Sequence, residues 1–307
     1  MKKIYIIPLI ILITFGVWSL KNYLFLNFYS LERVEFEVGD TDIDDFGYWL
    51  DDIDNDEIKN SNYDLIIMDY SADGSELEEF TKDDVDDMKS SGDEEKLLLA
   101  YISIGEAEDY RYYWNISWAP GSPIWLEEEN PDWEGNYKVK YWMRGWQDVI
   151  YDYLDRIILA EFDGIYMDLI DAYEYYETKI SHSDWRMIDF VVNISFYAKA
   201  RMGNDFAVFV QNGDELLSNS TYLNNIDGIG REDLFYDDEE TDEDDREDAI
   251  DNLNKALDED KAVLVIDYPS TEYKYDFYKN CIDNGFLPYA AERDLDYLDE
   301  YMFYPAT

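Results

Sequence analysis

From about Glu35 onward, short apolar runs rich in β-branched and aromatic residues recur along the chain, separated by segments of helical character. Apolar runs bounded by turn residues read as strands buried on both faces, while apolar residues returning every three or four positions read as helices with one apolar stripe. Eight runs qualify as strands: 46–50, 64–69, 97–104, 163–168, 206–211, 227–231, 262–267 and 285–289. Helices are expected at 76–91, 147–162, 185–202 and 245–259. Within 147–162 the residues Val149, Ile150, Tyr153, Leu154, Ile157 and Ile158 lie on one stripe. Gly203-Asn204 and Asp283-Asn284-Gly285 are stop signals before the next strand. Strands alternating with helices predict a parallel sheet with helical crossovers, and eight is the number that closes a barrel with a filled interior. The expected fold is therefore α/β, a single (β/α)8 TIM barrel.

The N-terminus follows a different pattern. Met1-Lys2-Lys3 precedes an uncharged, mostly apolar run from Ile4 to Leu20, then Lys21 and a second apolar patch, Tyr23 to Leu26. Positive charge followed by an apolar run reads as an export signal. No Ala-x-Ala cleavage site is present, because the first alanine is Ala72. Residues 1–28 are thus expected to be a signal or signal-anchor segment, with an uncleaved membrane-anchor helix as the favoured form, and residues 29–307 the barrel domain. Both forms place the domain outside the cytoplasm, extracellular or at the cell surface, and the sequons at Asn115, Asn193 and Asn219 are compatible with that.

Composition narrows the chemistry. With 73 acidic against 24 basic residues, the formal charge of -49 repels a phosphate backbone, so nucleic acid is excluded as a partner. The acidity fits either a surface adapted to a salty medium or complementarity to a cationic substrate. Cys281 and His182 are the only residues of their kinds, which rules out a disulfide, a thiolate zinc cluster and a CxxC pair, and makes an imidazole metal site implausible. Cys281 is expected to be packed and His182 to lie in a connection. No metal and no cofactor are expected, and carboxylates remain as the source of chemistry.

In a (β/α)8 barrel the carboxyl ends of the strands share one mouth. Reading those ends gives Asp69, Glu106, Asp168, Gln211 with Asn212, Glu232 and Asp267. Asp69, Asp168 and Asp267 each follow a wholly apolar run, where desolvation raises a carboxyl pKa and a second carboxylate raises it further. Such a contrast separates a proton donor from an ionised partner in glycosidases.

Six stretches, in order, carry a resemblance: Asp64 to Tyr70, Ile104 to Arg111, Phe162 to Asp168, Gln211-Asn212-Gly213, Arg231 to Tyr236 and Val265 to Pro269. Together they resemble glycoside hydrolase family 114, which includes endo-α-1,4-polygalactosaminidases, over about residues 44–298. The resemblance implies a barrel that cleaves α-1,4-linked galactosamine polymers without a cofactor. Carried over by position, it implies retention of anomeric configuration, with Asp168 as nucleophile and Glu232 as general acid/base. It also implies that Asp69, Glu106, Arg111, Asn212 and Asp267 line the mouth and bind sugar hydroxyls or ammonium groups. Two alternatives stay open: a glycosidase of different sugar specificity, and a surface carbohydrate-binding or envelope protein without turnover.

Between the third strand and the 147–162 helix lies an insertion, residues 106–145, which with Trp146 holds six of the nine tryptophans. Most of these rings are expected to form the insertion's own small core, with Tyr110, Tyr112 and Trp114 available to stack on sugar. Residues 137–142 alternate like a hairpin strand. The acidic tract 237–245 lacks the central glycine of a calcium loop and is read as a solvated entry to the next helix, with Thr241 as N-cap.

Overall fold

The computed structural model describes residues 34–90 and 96–298. The expected segment 1–28 lies outside the described residues, and among those residues no helix is long and apolar enough to cross a membrane.

An antiparallel pair, β1 (Phe36–Val38) and β2 (Thr41–Ile43), leads into β3 (Phe46–Trp49), β4 (Leu65–Met68) and β5 (Leu97–Ser103). An insertion follows, carrying β6 (Glu106–Glu108), β7 (Leu126–Glu129) and β8 (Asn136–Val139). The chain then continues through β9 (Gly164–Asp168), β10 (Ala207–Gln211), β11 (Gly228–Glu240), β12 (Ala262–Pro269) and β13 (Leu287–Ala290). Eight strands form one parallel sheet in the order β13-β12-β11-β10-β9-β5-β4-β3, and each coincides with an expected run. The sheet curls until its first and last strands meet. At that seam Leu50 N–H donates to Leu295 O at 2.9 Å, and the Phe46 and Tyr289 rings lie 5.5 Å apart.

Acids that precede the strands hold the lower rim. Asp163 accepts from Leu98 N, Asp227 from Val208 N and Asp45 from Asp64 N, each 2.8–2.9 Å, so a carboxylate at the foot of one strand fixes an N–H near the start of its neighbour. Part of the acidity is therefore structural. Helix Arg144–Ala160 buries Ile150, Tyr153, Leu154 and Ile157, the stripe its spacing predicts, and Trp146 Nε1 ties its start to Ile104 O at 2.8 Å. Helix Lys274–Asn284 buries Cys281 and ends at Gly285 in the left-handed region, while His182, also left-handed, precedes helix Ser183–Met202.

Three expectations are corrected. Segment 76–91 is a single turn of 3-10 helix, Glu76–Glu78, followed by helix Lys82–Lys89 with Thr81 and Asp84 in a capping box. The tract from Asp237 to Glu240 belongs to β11, which runs well past its expected end at Arg231. Asp242, not Thr241, caps helix Glu243–Leu257 by accepting from Asp244 N, because the Thr241 hydroxyl is spent on Leu234 O at 2.7 Å.

Candidate active site

Strand alternation aims Tyr166 and Asp168 of β9 at the barrel axis, with Tyr101 on β5 and Tyr48 on β3 beside them; Tyr48 and Tyr166 pack edge to face at 5.5 Å. Space for the Tyr166 ring exists because β11 carries Gly230, where a Cβ would stand 1.7 Å from the Tyr166 hydroxyl. Tyr166 forms a floor under the mouth, and burial followed by the charges of Glu232 and Asp168 keeps its hydroxyl protonated.

Above that floor, Asp168 ends β9 and Glu232 lies on β11, with β10 between them. Both line one cleft of about 550 Å³. Asp168 Oδ2 accepts from Tyr101 Oη at 2.6 Å and Oδ1 from its neighbour Leu169 N at 2.6 Å. Glu232 Oε2 accepts from Gln211 Nε2 at 2.5 Å, and Gln211 is itself held by Tyr48 Oη at 2.9 Å. The Tyr268 hydroxyl donates to Glu232 Oε1, and the Arg293 guanidinium lies 3.9 Å over the Tyr268 ring. Each carboxyl is thus fixed by donors from neighbouring strands, the preorganisation that chemistry at a defined atom requires.

The backbone turns sharply at these residues. Leu169 and Asn212, just past the ends of β9 and β10, and Asp233, at the irregularity within β11, have φ of 57°, 59° and 52°. A left-handed conformation in residues other than glycine costs on the order of 1 kcal/mol each and clusters at functional sites. Here they bend the chain immediately after Asp168, Gln211 and Glu232, whose side chains line the cleft.

Burial, and then the charge of Glu232, pushes the Asp168 carboxyl up to about 8. Burial likewise raises Glu232, while the bond from Tyr268 pulls it back. Asp168 therefore keeps its proton at neutral pH. Eight acids line the cleft, namely Asp51, Asp69, Asp73, Glu106, Glu108, Asp168, Glu232 and Asp294, against Arg111 and Arg293. Both arginines are already paired: Arg111 with Asp69 and Glu108 at 2.6 and 2.7 Å, Arg293 with Asp233 and Asp237 at 2.8 and 2.6 Å. A cation is the charge this cleft lacks.

Of the remaining residues read from the sequence, Asp69, Glu106, Tyr110, Arg111 and Asn212 also line the cleft. Their freedom to meet a ligand differs. Arg111 and Asp69 are buried in their mutual ion pair, and the Asn212 carbonyl accepts from Arg231 Nη1 and Glu232 N, both at 3.0 Å. Tyr110 is half exposed, stacks 4.8 Å over Arg111 and donates to Glu108 at 2.6 Å. Asp267 does not reach the cleft. It is fully buried, and its two oxygens accept from the backbone of Leu234, Phe235 and Tyr236 at 2.8–2.9 Å, so it holds the irregular stretch of β11 after Glu232 rather than facing the cleft.

The insertion's aromatics are sorted in the same way. Trp114, Trp118, Trp125 and Trp146 pack in series at 4.9–5.3 Å, and Trp142 packs on Tyr176. Tyr112 lies under Arg156, and neither it nor Trp114 lines the cleft, contrary to their expected stacking role. Trp133, more than half exposed, stands there instead. Of the residues missed by sequence reading, Tyr48, Tyr101, Tyr268 and Arg293 support the two carboxyls directly or through a neighbour, and Trp133 lines the cleft.

A (β/α)8 barrel with two fixed carboxyl groups on one mouth-side cleft has the architecture of a glycoside hydrolase. The model of glycoside-hydrolase family GH114 matches residues 39–306, and the chain belongs to that family. An uncharacterized protein of Methanocaldococcus jannaschii is 41% identical over 270 residues, covering 83% of this chain and 77% of that protein. Two solved structures share the fold at low identity. One is the glycoside hydrolase domain of PelA from Pseudomonas aeruginosa, with TM-score 0.64, 14% identity, and coverage of 83% of this chain and 97% of that one. The other is Aspergillus fumigatus Ega3 in complex with galactosamine, with TM-score 0.62, 15% identity, and coverage of 86% and 95%.

Proposed function

We propose that this chain is a retaining glycoside hydrolase that cuts an α-1,4-linked, galactosamine-containing polysaccharide outside the cytoplasm, tethered to the membrane by residues 1–28. The observation that carries the reading is the pair Asp168 and Glu232, held on strands one apart and opening on the same cleft. The choice of sugar is supported by the excess of carboxylates in that cleft, whose two arginines are both paired, and by the galactosamine bound to Ega3.

In this reading Asp168 attacks the anomeric carbon while Glu232 protonates the departing glycosidic oxygen. Water activated by Glu232 then releases the sugar from Asp168. The pair must hold one proton, and that proton must be on Glu232 when substrate is bound. With the cleft empty, burial and the charge of Glu232 favour protonated Asp168, at about 8. A substrate ammonium near Asp168 reverses this preference by stabilising its carboxylate, leaving the proton to Glu232. Positive charge on the sugar is thereby part of the catalysis as well as the binding.

The test is cleavage by the full-length protein of a panel of polymers: α-1,4-polygalactosamine, its N-acetylated form and neutral galactan. Fastest cleavage of the free-amine polymer is expected. Faster cleavage of a neutral polymer would move the protein to another specificity, and binding without cleavage of any polymer would make it a carbohydrate-binding surface protein.

A further inference from the structure

A smaller hollow of about 220 Å³ adjoins the catalytic cleft. Glu106 and Leu169 line both spaces, and Leu169 directly follows Asp168, so the hollow begins one residue from the proposed nucleophile. Its far wall comes from β8 and the start of helix Ala172–Glu177, through Lys138, Asp171, Glu174 and Tyr175.

Three carboxyl groups, on Glu106, Asp171 and Glu174, meet one lining ammonium, that of Lys138. Lys138 balances only one of them: its Nζ forms a 4.0 Å ion pair with Glu106 Oε1 and lies 5.4 Å from the centre of the Tyr175 ring. Glu106 is 5% exposed; its Oε1 accepts from Asn130 Nδ2 at 3.0 Å, and its Oε2 has no hydrogen-bond donor. A buried carboxylate oxygen without a donor is costly, and a ligand N–H or ammonium removes that cost. Tyr175 is 41% exposed and offers an aromatic edge, one face being covered by Lys179.

We propose that this hollow is a second sugar subsite, which takes the unit adjacent to the one at Asp168 and Glu232 and directs its free 2-ammonium at Glu106, Asp171 and Glu174. The inference rests on the hydrolase reading above and adds to it where a neighbouring aminated unit sits and which carboxylates recognise it. A chain long enough to fill both spaces binds more tightly than one that fills only the first, and the gain requires an unacetylated amine.

Full-length Asp168→Asn protein, which retains the cleft without turnover, is titrated calorimetrically with α-1,4-galactosamine oligomers of increasing length. The titration is repeated with Glu174→Gln and with Asp171→Asn/Glu174→Gln added. Glu174 is exposed and Asp171 makes no capping hydrogen bond, and thermal melting checks that both proteins fold. In the parent, the unit that enters the hollow is expected to tighten binding about tenfold. That gain should shrink in the single variant, shrink further in the double variant, which keeps only Glu106, and be absent for N-acetylated oligomers. An equal gain in parent and double variant would overturn the subsite. Failure of the parent to bind any galactosamine oligomer would instead overturn the galactosamine reading itself, and the subsite with it.

Discussion

Tyr101 donates a 2.6 Å hydrogen bond to Asp168, reaching from β5 to the end of β9. This bond favours the carboxylate against burial and against the charge of Glu232, both of which favour the acid. Removing the hydroxyl in Tyr101→Phe therefore raises the Asp168 pKa further and weakens Asp168 in its proposed role as nucleophile. A hydrogen bond to a charged group contributes about 1.5–3 kcal/mol, so kcat/KM is expected to fall about ten- to a hundredfold. Steady-state kinetics on a soluble oligomer, with melting to confirm the fold, checks this.

The pH profile follows from the same pair. In the proposed mechanism cleavage needs one carboxylate and one carboxylic acid, and Asp168 gives up its proton as pH passes about 8. The expected profile of kcat/KM is a bell whose alkaline limb falls near pH 8 and moves upward in Tyr101→Phe. A limb at that pH unmoved by the substitution would assign the titration to another group.

Asp267 governs stability rather than binding. Burial pushes its carboxyl up to about 7, although three backbone N–H groups donate to it. The folded protein thus holds a proton that the unfolded chain has released above its own, lower pKa. This contribution is fully present below the unfolded pKa and is lost as pH rises through about 7. Asp267→Asn replaces one acceptor by a donor facing a backbone N–H, and destabilisation of about 1–3 kcal/mol is expected. Denaturant midpoints of both proteins at mildly acid and mildly alkaline pH check it, with the variant showing the flatter dependence on pH.

Much of the fold was legible in the sequence, because strands buried on both faces leave unbroken apolar runs, and all eight barrel strands coincide with such runs. The far half of β11 was not, since its tail Asp237-Asp238-Glu239-Glu240 is exposed and carries no apolar residue to betray a strand. Asp168 and Glu232 were visible as acids ending strands. Their partners were harder to see: Tyr101 and Tyr48 sit within the runs, where sequence alone does not separate an inward hydroxyl from a packed ring. Trp133 was hidden among the insertion's tryptophans, and only the packing of the other rings leaves it at the cleft. Asp267 was misread for a related reason, because an acid after an apolar run that turns toward the N–H groups of the neighbouring strand has the same sequence context as one turned to the mouth.

Charge attraction gives a prediction of its own. If the acidic cleft recognises amines, the affinity for free-amine polymer weakens as sodium chloride is raised, while that for its N-acetylated form changes little. Equilibrium binding to Asp168→Asn protein across a salt series measures both. Equal salt dependence for the two polymers would attribute the acidity to the surface as a whole.

Reducing ends released from α-1,4-polygalactosamine by full-length wild type, Asp168→Asn and Glu232→Gln test the central claim most directly. Release by the wild type and its loss, by at least about a thousandfold, in both variants is the expected result. Continued release by either folded variant would show that Asp168 and Glu232 do not form the catalytic pair.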